Sequence, residues 1–408
     1  MKKSVHTLWI YFVVIMVFGG CKSDVTPKQI NNANFILTYP LDKDQKCYTI
    51  SQTDDQGFLI IGSQDEESVS DENDIIILKL DKQGRIQRTN YILGDSFNIP
   101  FVAPQKDGSF LITTSSLGSR LVKIDRNGNI LFNTYFEPIS IFDYYSYPLI
   151  TETGQIIFSS SFERYSANSI GNFHIFNTSG QYIKYTNVSK PVSGIPSDYT
   201  CLYKTEDTAT YYFYGLERLG FTSGIPKIFV AKQVNNIIKK LIKVDANNKY
   251  NNNFVGFDAE LRHIITTDGS LLLYNTQLEP GDHSIGYIAL VNSNLIKLWE
   301  KELRIGSNGT FPKEVSICPD GNYLVCGYCK SDQNLTSQPF ACKLNNSGEL
   351  IWSKIYTNTN SGQFNSGMQL PDGSFVFGGT TNGFGGGKNL NDIFILKTDK
   401  NGELKELE

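Results

Sequence analysis

Histidine, methionine and tryptophan are scarce in this chain of 408 residues, at four, three and three copies. His174, His263 and His283 stand far apart, so no histidine-centred catalytic base arrangement is implied. Each reads as a solitary structural or surface residue. An excess of one charge is also missing. With 37 basic and 41 acidic side chains the formal net charge is −4, which gives no electrostatic footprint for nucleic acid. Long apolar runs are absent too. The fourteen residues from Thr7 to Gly20 near the N-terminus carry no charge, but they are short of the roughly 20 apolar residues that a membrane-spanning helix needs. Elsewhere no stretch approaches 18 apolar residues. A hydrophobic share of 40% excludes a disordered or collagen-like chain. What is abundant is Phe (26), Tyr (22) and Gly (35), a mixture that favours strands and turns over helices. At about 150 residues per domain the length suggests two or three domains, unless a single large sheet assembly takes up the whole chain.

Lys2 and Lys3 precede the uncharged stretch, and Gly19-Gly20-Cys21 follows it. This is the build of a secretory signal peptide. The small pair before Cys21 resembles the lipobox of bacterial lipoproteins, with Phe18 where leucine is usual. The resemblance implies that Cys21 is lipidated, becomes the first mature residue and holds the protein to a membrane. Removing residues 1–20 leaves 35 basic and 41 acidic side chains. The polar segment 21–32 reads as a short tether.

From residue 33 onward the chain repeats itself. Turn glycines Gly57, Gly108, Gly154, Gly269, Gly321 and Gly373 lie 46 to 52 residues apart except for one gap of 115. Each precedes an apolar burst such as FLIIGS or YLVCGY. A degenerate copy without the glycine, EDTATYYFYG from Glu206, fills the long gap, so seven units result. A second marker follows in most units, an apolar run ending in Asp/Asn-x-x-Gly, as in DIIILKLDKQG from Asp74 and IFILKTDKNG from Ile393. That turn is hairpin chemistry, with glycine in the left-handed position. Units four and five carry QVNN and VNSN at this place. NNIIKKLIKV from Asn235 has helix-compatible spacing, but its place in the repeat predicts an outer strand.

Four short strands with two tight turns, repeated seven times, predict an all-β fold, a seven-bladed β-propeller of four-stranded antiparallel blades. Closure is open between two segments. Asn34–Tyr39 aligns with the outer strand of a unit, and the C-terminal Glu403–Glu408 competes for the same place.

Unit seven carries the pattern most fully, at Asp372, Gly373, Gly378, Gly379, Asn391, Asp392, Lys397, Asp399 and Gly402. This pattern resembles a propeller repeat common in secreted and lipid-anchored bacterial proteins, often from Bacteroidetes. The resemblance covers roughly residues 33–408 and implies the fold and the cell envelope, in particular the outer membrane, facing either the periplasm or the medium. It carries over no catalytic set. The signatures of WD40, kelch, sialidase and quinoprotein propellers are missing.

The Gly-rich run Gly383–Lys388 is not a phosphate loop, because Asn382 and Asn389 stand where that loop needs Gly and Ser/Thr. The turn aspartates are explained by the hairpins without calcium. Cys326 and Cys329 are three apart on one strand and so point to opposite faces. They read as small buried hydrophobes, with one disulfide to Cys342 left open. No metal and no cofactor is expected.

Strand parity places the two tight turns of every unit on one rim and the longer connections on the other. Those connections hold the candidate ligand-binding residues Tyr144, Tyr145, Arg164, Tyr165, Arg218, Phe221, His283 and Phe384, aromatics and polar groups suited to a sugar ring or a protein partner. The expected role is a binding or scaffold module for an envelope protein or glycan. The alternative is a carbohydrate-active hydrolase or lyase with its site at the channel mouth.

Overall fold

The computed structural model describes residues 34–404 apart from 41–42, 66–72, 93–100, 106, 115–118, 137–143, 146–147, 152, 162–170, 189–196, 205–209, 218–226, 235–236, 245–261, 279–283, 331–335, 358–360 and 383–390. All regular elements among these residues are β-strands. They form four-stranded antiparallel groups, each an open path and all but the last in chain order. The first comprises Gln45–Gln52, Phe58–Asp65, Asn73–Leu80 and Ile86–Ile92, and the second Phe101–Pro104, Phe110–Thr114, Ser119–Ile124 and Ile130–Phe136. In the third the innermost strand is split into Tyr144–Tyr145 and Leu149–Ile150, followed by Ile156–Ser161, Gly171–Phe176 and Tyr182–Val188. The fourth comprises Ser197–Lys204, Thr210–Glu217, Lys227–Val234 and Ile237–Val244, so the helix-compatible segment is indeed a strand. The fifth holds Arg262–Ile265, Leu271–Leu278, Ser284–Val291 and Lys297–Leu303, and the sixth Gly309–Ile317, Tyr323–Lys330, Gln338–Leu344 and Leu350–Ile355. A single parallel pairing, Ser284 with Gly309, joins these two into one sheet. The last group is Gly362–Gln369, Phe375–Thr381 and Asp392–Thr398, and its fourth strand is Phe35–Tyr39 from the N-terminus. Of the two competing segments, the N-terminal one therefore takes the outer place.

The third strands read as unbroken apolar runs because both of their faces are covered. Ile76, Leu78 and Leu80 pack with Phe35, Leu37, Ile393 and Ile395 of the last unit. Ile75 and Ile77 turn the other way, onto Val102, Phe110, Ile112 and Val122 of the second. The same sandwiching joins units two and three, five and six, and six and seven. Four innermost strands carry a bulge, at Cys47/Thr49, Tyr199/Cys201, Pro312/Glu314 and Phe364/Ser366. In all four the first bulge residue faces a glycine of the second strand, Gly62, Gly215, Gly327 or Gly379, and in three of them the bulged backbone leans over it. A Cβ at Gly62, Gly327 or Gly379 would lie 2.4, 2.1 or 2.3 Å from a carbonyl oxygen of the inner strand.

The repeat signature is structural on the tight-turn rim. The turn aspartate meets a lysine of the third strand in Asp55–Lys79 (2.6 Å), Asp107–Lys123 (3.3 Å), Asp320–Lys343 (2.6 Å) and Asp372–Lys397 (3.7 Å), and the lysine side chains are only 9–16% exposed. Hydrogen bonds from Lys79 and Thr53 hold the Asp55 carboxyl down at about 2. In the other turn, the Asp or Asn side chain accepts two backbone N–H groups, as Asp81 does from Gln83 and Arg85, and Asp399 from Asn401 and Glu403. Unit five keeps this turn in spite of its VNSN sequence. Asn292 accepts from Asn294 and Ile296, and Leu295 takes the left-handed position at φ 54°.

In unit one the left-handed residue is not the glycine that the repeat points to. Gln56 has φ 63° and Gly57 follows it, with a Cβ at Gly57 excluded by the Leu80 carbonyl oxygen at 2.1 Å. Gln56 is exposed, so its strain is offset by no packing. Gln56→Gly should therefore stabilise the protein by about 0.5–1 kcal/mol, the strain relieved less the added chain entropy. A rise in the urea midpoint checks this. An unchanged or lower midpoint would mean that Gln56 sits without strain.

Candidate functional site

In five units the innermost strand places a described residue at the same depth, four positions before the residue that opens the first turn. In unit order these are Arg262, Glu314, Ser366, Thr49 and Phe101 among the described residues. The first four make a continuous polar arc. The Gly367 N–H donates to Glu314 Oε2 at 2.8 Å, and the Ser366 hydroxyl also bonds the Glu314 carboxylate. Ser366 Oγ accepts from the Ile50 N–H at 3.1 Å and lies 3.3 Å from Thr49 Oγ1. On the other side Arg262 Nη1 donates to the Lys313 carbonyl at 2.5 Å. The arc thus links units five, six, seven and one through their inner strands.

Glu314 is partly exposed, but protein surrounds it. Burial is the leading influence on its carboxyl and raises it to about 7, while the bonds from Ser366 and Gly367 and the Arg262 charge pull the other way. His263, next to Arg262, is lowered to about 4 by burial. Glu314 is therefore the group of this arc that changes charge near neutrality.

The thiols do not join the chemistry. Burial raises Cys318 and Cys342 to about 12 and Cys329 to about 11, and it raises Cys47 and Cys326 as well. All five are buried and free. Cys326 packs toward unit seven and Cys329 toward unit five, as their spacing predicts. His174 is a core residue inside a ring of aromatics, stacked on Phe158 at 5.1 Å and near Phe136 at 5.6 Å, and burial lowers it to about 4.

Of the residues singled out from the sequence, Tyr144 and Tyr145 lie on an innermost strand, in register with Ser161 and Ser160. Arg164, Tyr165, Arg218, Phe221, His283, Phe384 and Cys21 lie outside the described residues. The arc itself was not singled out. Its signal is available in the sequence, namely the residue four before each first turn, once the repeats are aligned on those turns.

These sheets, packed face to face, define the chain as an all-β protein of β-propeller type. No protein-family profile matches it, and no curated protein matches it. Solved structures that it resembles include the β-propeller domain of the Trilobed protease from Pyrococcus furiosus, at 11% identity and a TM-score of 0.47, over 88% of this chain and 97% of that one. A protein of unknown function from Bacteroides caccae gives 12% and 0.42, over 77% and 94%. An α-L-arabinofuranosidase from Fusarium graminearum, solved with an iminosugar inhibitor, gives 11% and 0.43, over 74% and 93%.

Proposed function

We propose that the chain is a seven-bladed propeller whose ring is closed by Phe35–Tyr39, held to the bacterial outer membrane by a lipid on Cys21, and that it works as a binding or scaffold module. Its partner, an envelope protein or a glycan, sits on the rim of the long connections, over the channel. The observation that carries this reading is the division of labour between the rims. On the tight-turn rim the recurring Asp, Asn, Lys and Gly positions of the repeat are used up in holding the turns. The long connections leave from the other rim, where loops on a rigid scaffold are free to differ from unit to unit.

The hydrolase or lyase reading has one observation on its side. Glu314 holds a proton near neutrality, as a general acid must. Glycoside hydrolysis commonly needs a second carboxylate about 5–10 Å away, and Glu314 is the one carboxylate at this depth among the described residues. The binding reading is therefore preferred.

Two experiments test it. Cys21→Ala should move the protein from the membrane fraction to the soluble one, whereas persistent attachment would end the lipoprotein reading. A cross-linked pulldown of the anchored protein should recover a stoichiometric envelope partner or glycan that a variant with scrambled long connections loses. Equal recovery in both would leave the long-connection rim without a role.

A further inference from the structure

Directly after the second tight turn the outer strand slips. In units one to six its pairing with the third strand shifts by one residue there, which leaves one outer-strand residue without an opposite number. In unit order that residue is Gln87, Leu131, Ile183, Lys239, Leu298 and Ile351. A bulge residue is released from the ladder, and its side chain is re-aimed. Four of the six are aliphatic, and each of these four is 47–55% exposed. Such exposure is concentrated on this rim. Among the described residues thirteen large apolar side chains are exposed, and ten of them lie within three residues of a tight turn.

The chain also enters the fold at this rim. Phe35 is opposite Lys397, two residues before the turn that opens at Asp399. Asn34 Nδ2 donates to the Glu403 carbonyl just beyond that turn, at 3.4 Å. Asn34 is thirteen residues on from Cys21, a span of at most about 45 Å when fully extended. A lipid on Cys21 would draw the tight-turn rim toward the membrane ahead of the rest of the fold.

We infer that the tight-turn rim rests on the surface of the lipid bilayer, with Leu131, Ile183, Leu298 and Ile351 seated in its headgroup boundary. Four units hold an aliphatic side chain at the same place on one rim, so a broad level surface meets all of them together. A compact protein patch would meet one or two, and leucine is under-represented among the anchors of protein interfaces. Apolar groups enter the headgroup boundary in proportion to the area they bury there. The turn carboxylates are engaged by lysines or by backbone N–H groups, so the contact is apolar and not ionic. The inference rests on the lipoprotein reading above and adds which rim meets the membrane. It leaves the long-connection rim turned toward the partner.

The test uses the lipidated full chain, extracted from membranes and returned to vesicles of phosphatidylethanolamine and phosphatidylglycerol. A polarity-sensitive fluorophore is attached at Ile351→Cys or at Ile355→Cys, two exposed sites on one outer strand about 13 Å apart along it. Wild type treated alike gives the background, and unchanged thermal midpoints establish that the variants are folded. Leu131→Cys and Tyr135→Cys repeat the pair in unit two if the first pair is not. The label at Ile351→Cys should emit at shorter wavelength and be quenched several-fold more by headgroup-labelled lipid than the label at Ile355→Cys. High salt and uncharged phosphatidylcholine vesicles should leave this difference unchanged. Water-like emission at both sites, equal quenching at both, or loss of the difference in high salt would overturn the inference. So would a shift seen in native membranes but not in vesicles, since a protein would then cover the rim. Wild type absent from the membrane fraction would end the lipoprotein reading and the inference with it. An anchored protein with water-like emission at Ile351→Cys would sink the inference alone.

Discussion

A chain beginning at residue 40 should lose at least about 5 kcal/mol of stability relative to one beginning at residue 33. Phe35, Leu37 and Tyr39 are all buried, and burying each large apolar side chain contributes about 1.5–3 kcal/mol. The strand they belong to pairs along its whole length with the last unit, from Phe35 opposite Lys397 to Tyr39 opposite Ile393. It also reaches across to unit one, where Tyr39 Oη donates to the Gly84 carbonyl at 2.6 Å. A folded domain has only about 5–15 kcal/mol in hand, so the truncated chain should melt far earlier. The bared edge of Asp392–Thr398 should make it prone to aggregate. A peptide of residues 33–40 added in trans should restore the midpoint in a concentration-dependent way, because it binds only the folded form. Equal urea midpoints for the two chains would mean that this strand does not hold the last unit to the first.

The same contact recurs around the outer rim, which is why the truncation should be felt beyond one sheet. Trp299 Nε1 donates to the Asn346 carbonyl of the next unit at 3.0 Å, and a Cβ at Gly348 would strike its ring at 2.7 Å. Tyr356 Oη donates to the Gly402 carbonyl at 2.8 Å, just as Tyr39 does to that of Gly84. Units five and six each lean on the turn of the unit that follows, and Phe35–Tyr39 supplies that contact from the last unit to the first.

Much of this fold was legible because its determinants are local. DIIILKL announces a strand covered on both faces, and the D-x-x-G after it announces its turn. Two turns depart from the repeat for physical reasons. In the first turn of unit one Gln56 holds the left-handed place, and Gly57 is needed for the approach of the Leu80 carbonyl. VNSN in unit five lacks the glycine, yet Leu295 adopts the left-handed conformation and is repaid by burial at 3% exposure. The polar arc was harder to read. It takes one residue from each of several units, and a bulge of one residue in the strands of Thr49, Glu314 and Ser366 shifts the alternation on which facing is judged. Arg262 and Glu314 are equivalent only when counted back from their turns.

Replacing Glu314 by glutamine should remove a pH dependence of stability that the wild type carries. Burial raises the folded-state carboxyl to about 7, against about 4.3 for a glutamate in an unfolded chain. Between these values the folded state binds more protons than the unfolded one, so stability falls as pH rises through this window. The full contribution is present below about pH 4.3 and is lost by about pH 7, a change of about 1–3 kcal/mol. Glutamine retains an acceptor for the Gly367 N–H and a partner for Ser366, so Glu314→Gln should match the wild type at pH 5 and exceed it at pH 8. Other titrating groups contribute equally to both proteins and cancel in the difference of their urea-derived stabilities. A flat difference between pH 5 and 8 would refute the raised carboxyl. A difference growing with falling pH would reverse its sign and mean that Arg262 outweighs burial. With Arg262→Leu the remaining support for the carboxylate falls to Ser366 and Gly367, and the same transition should move to higher pH.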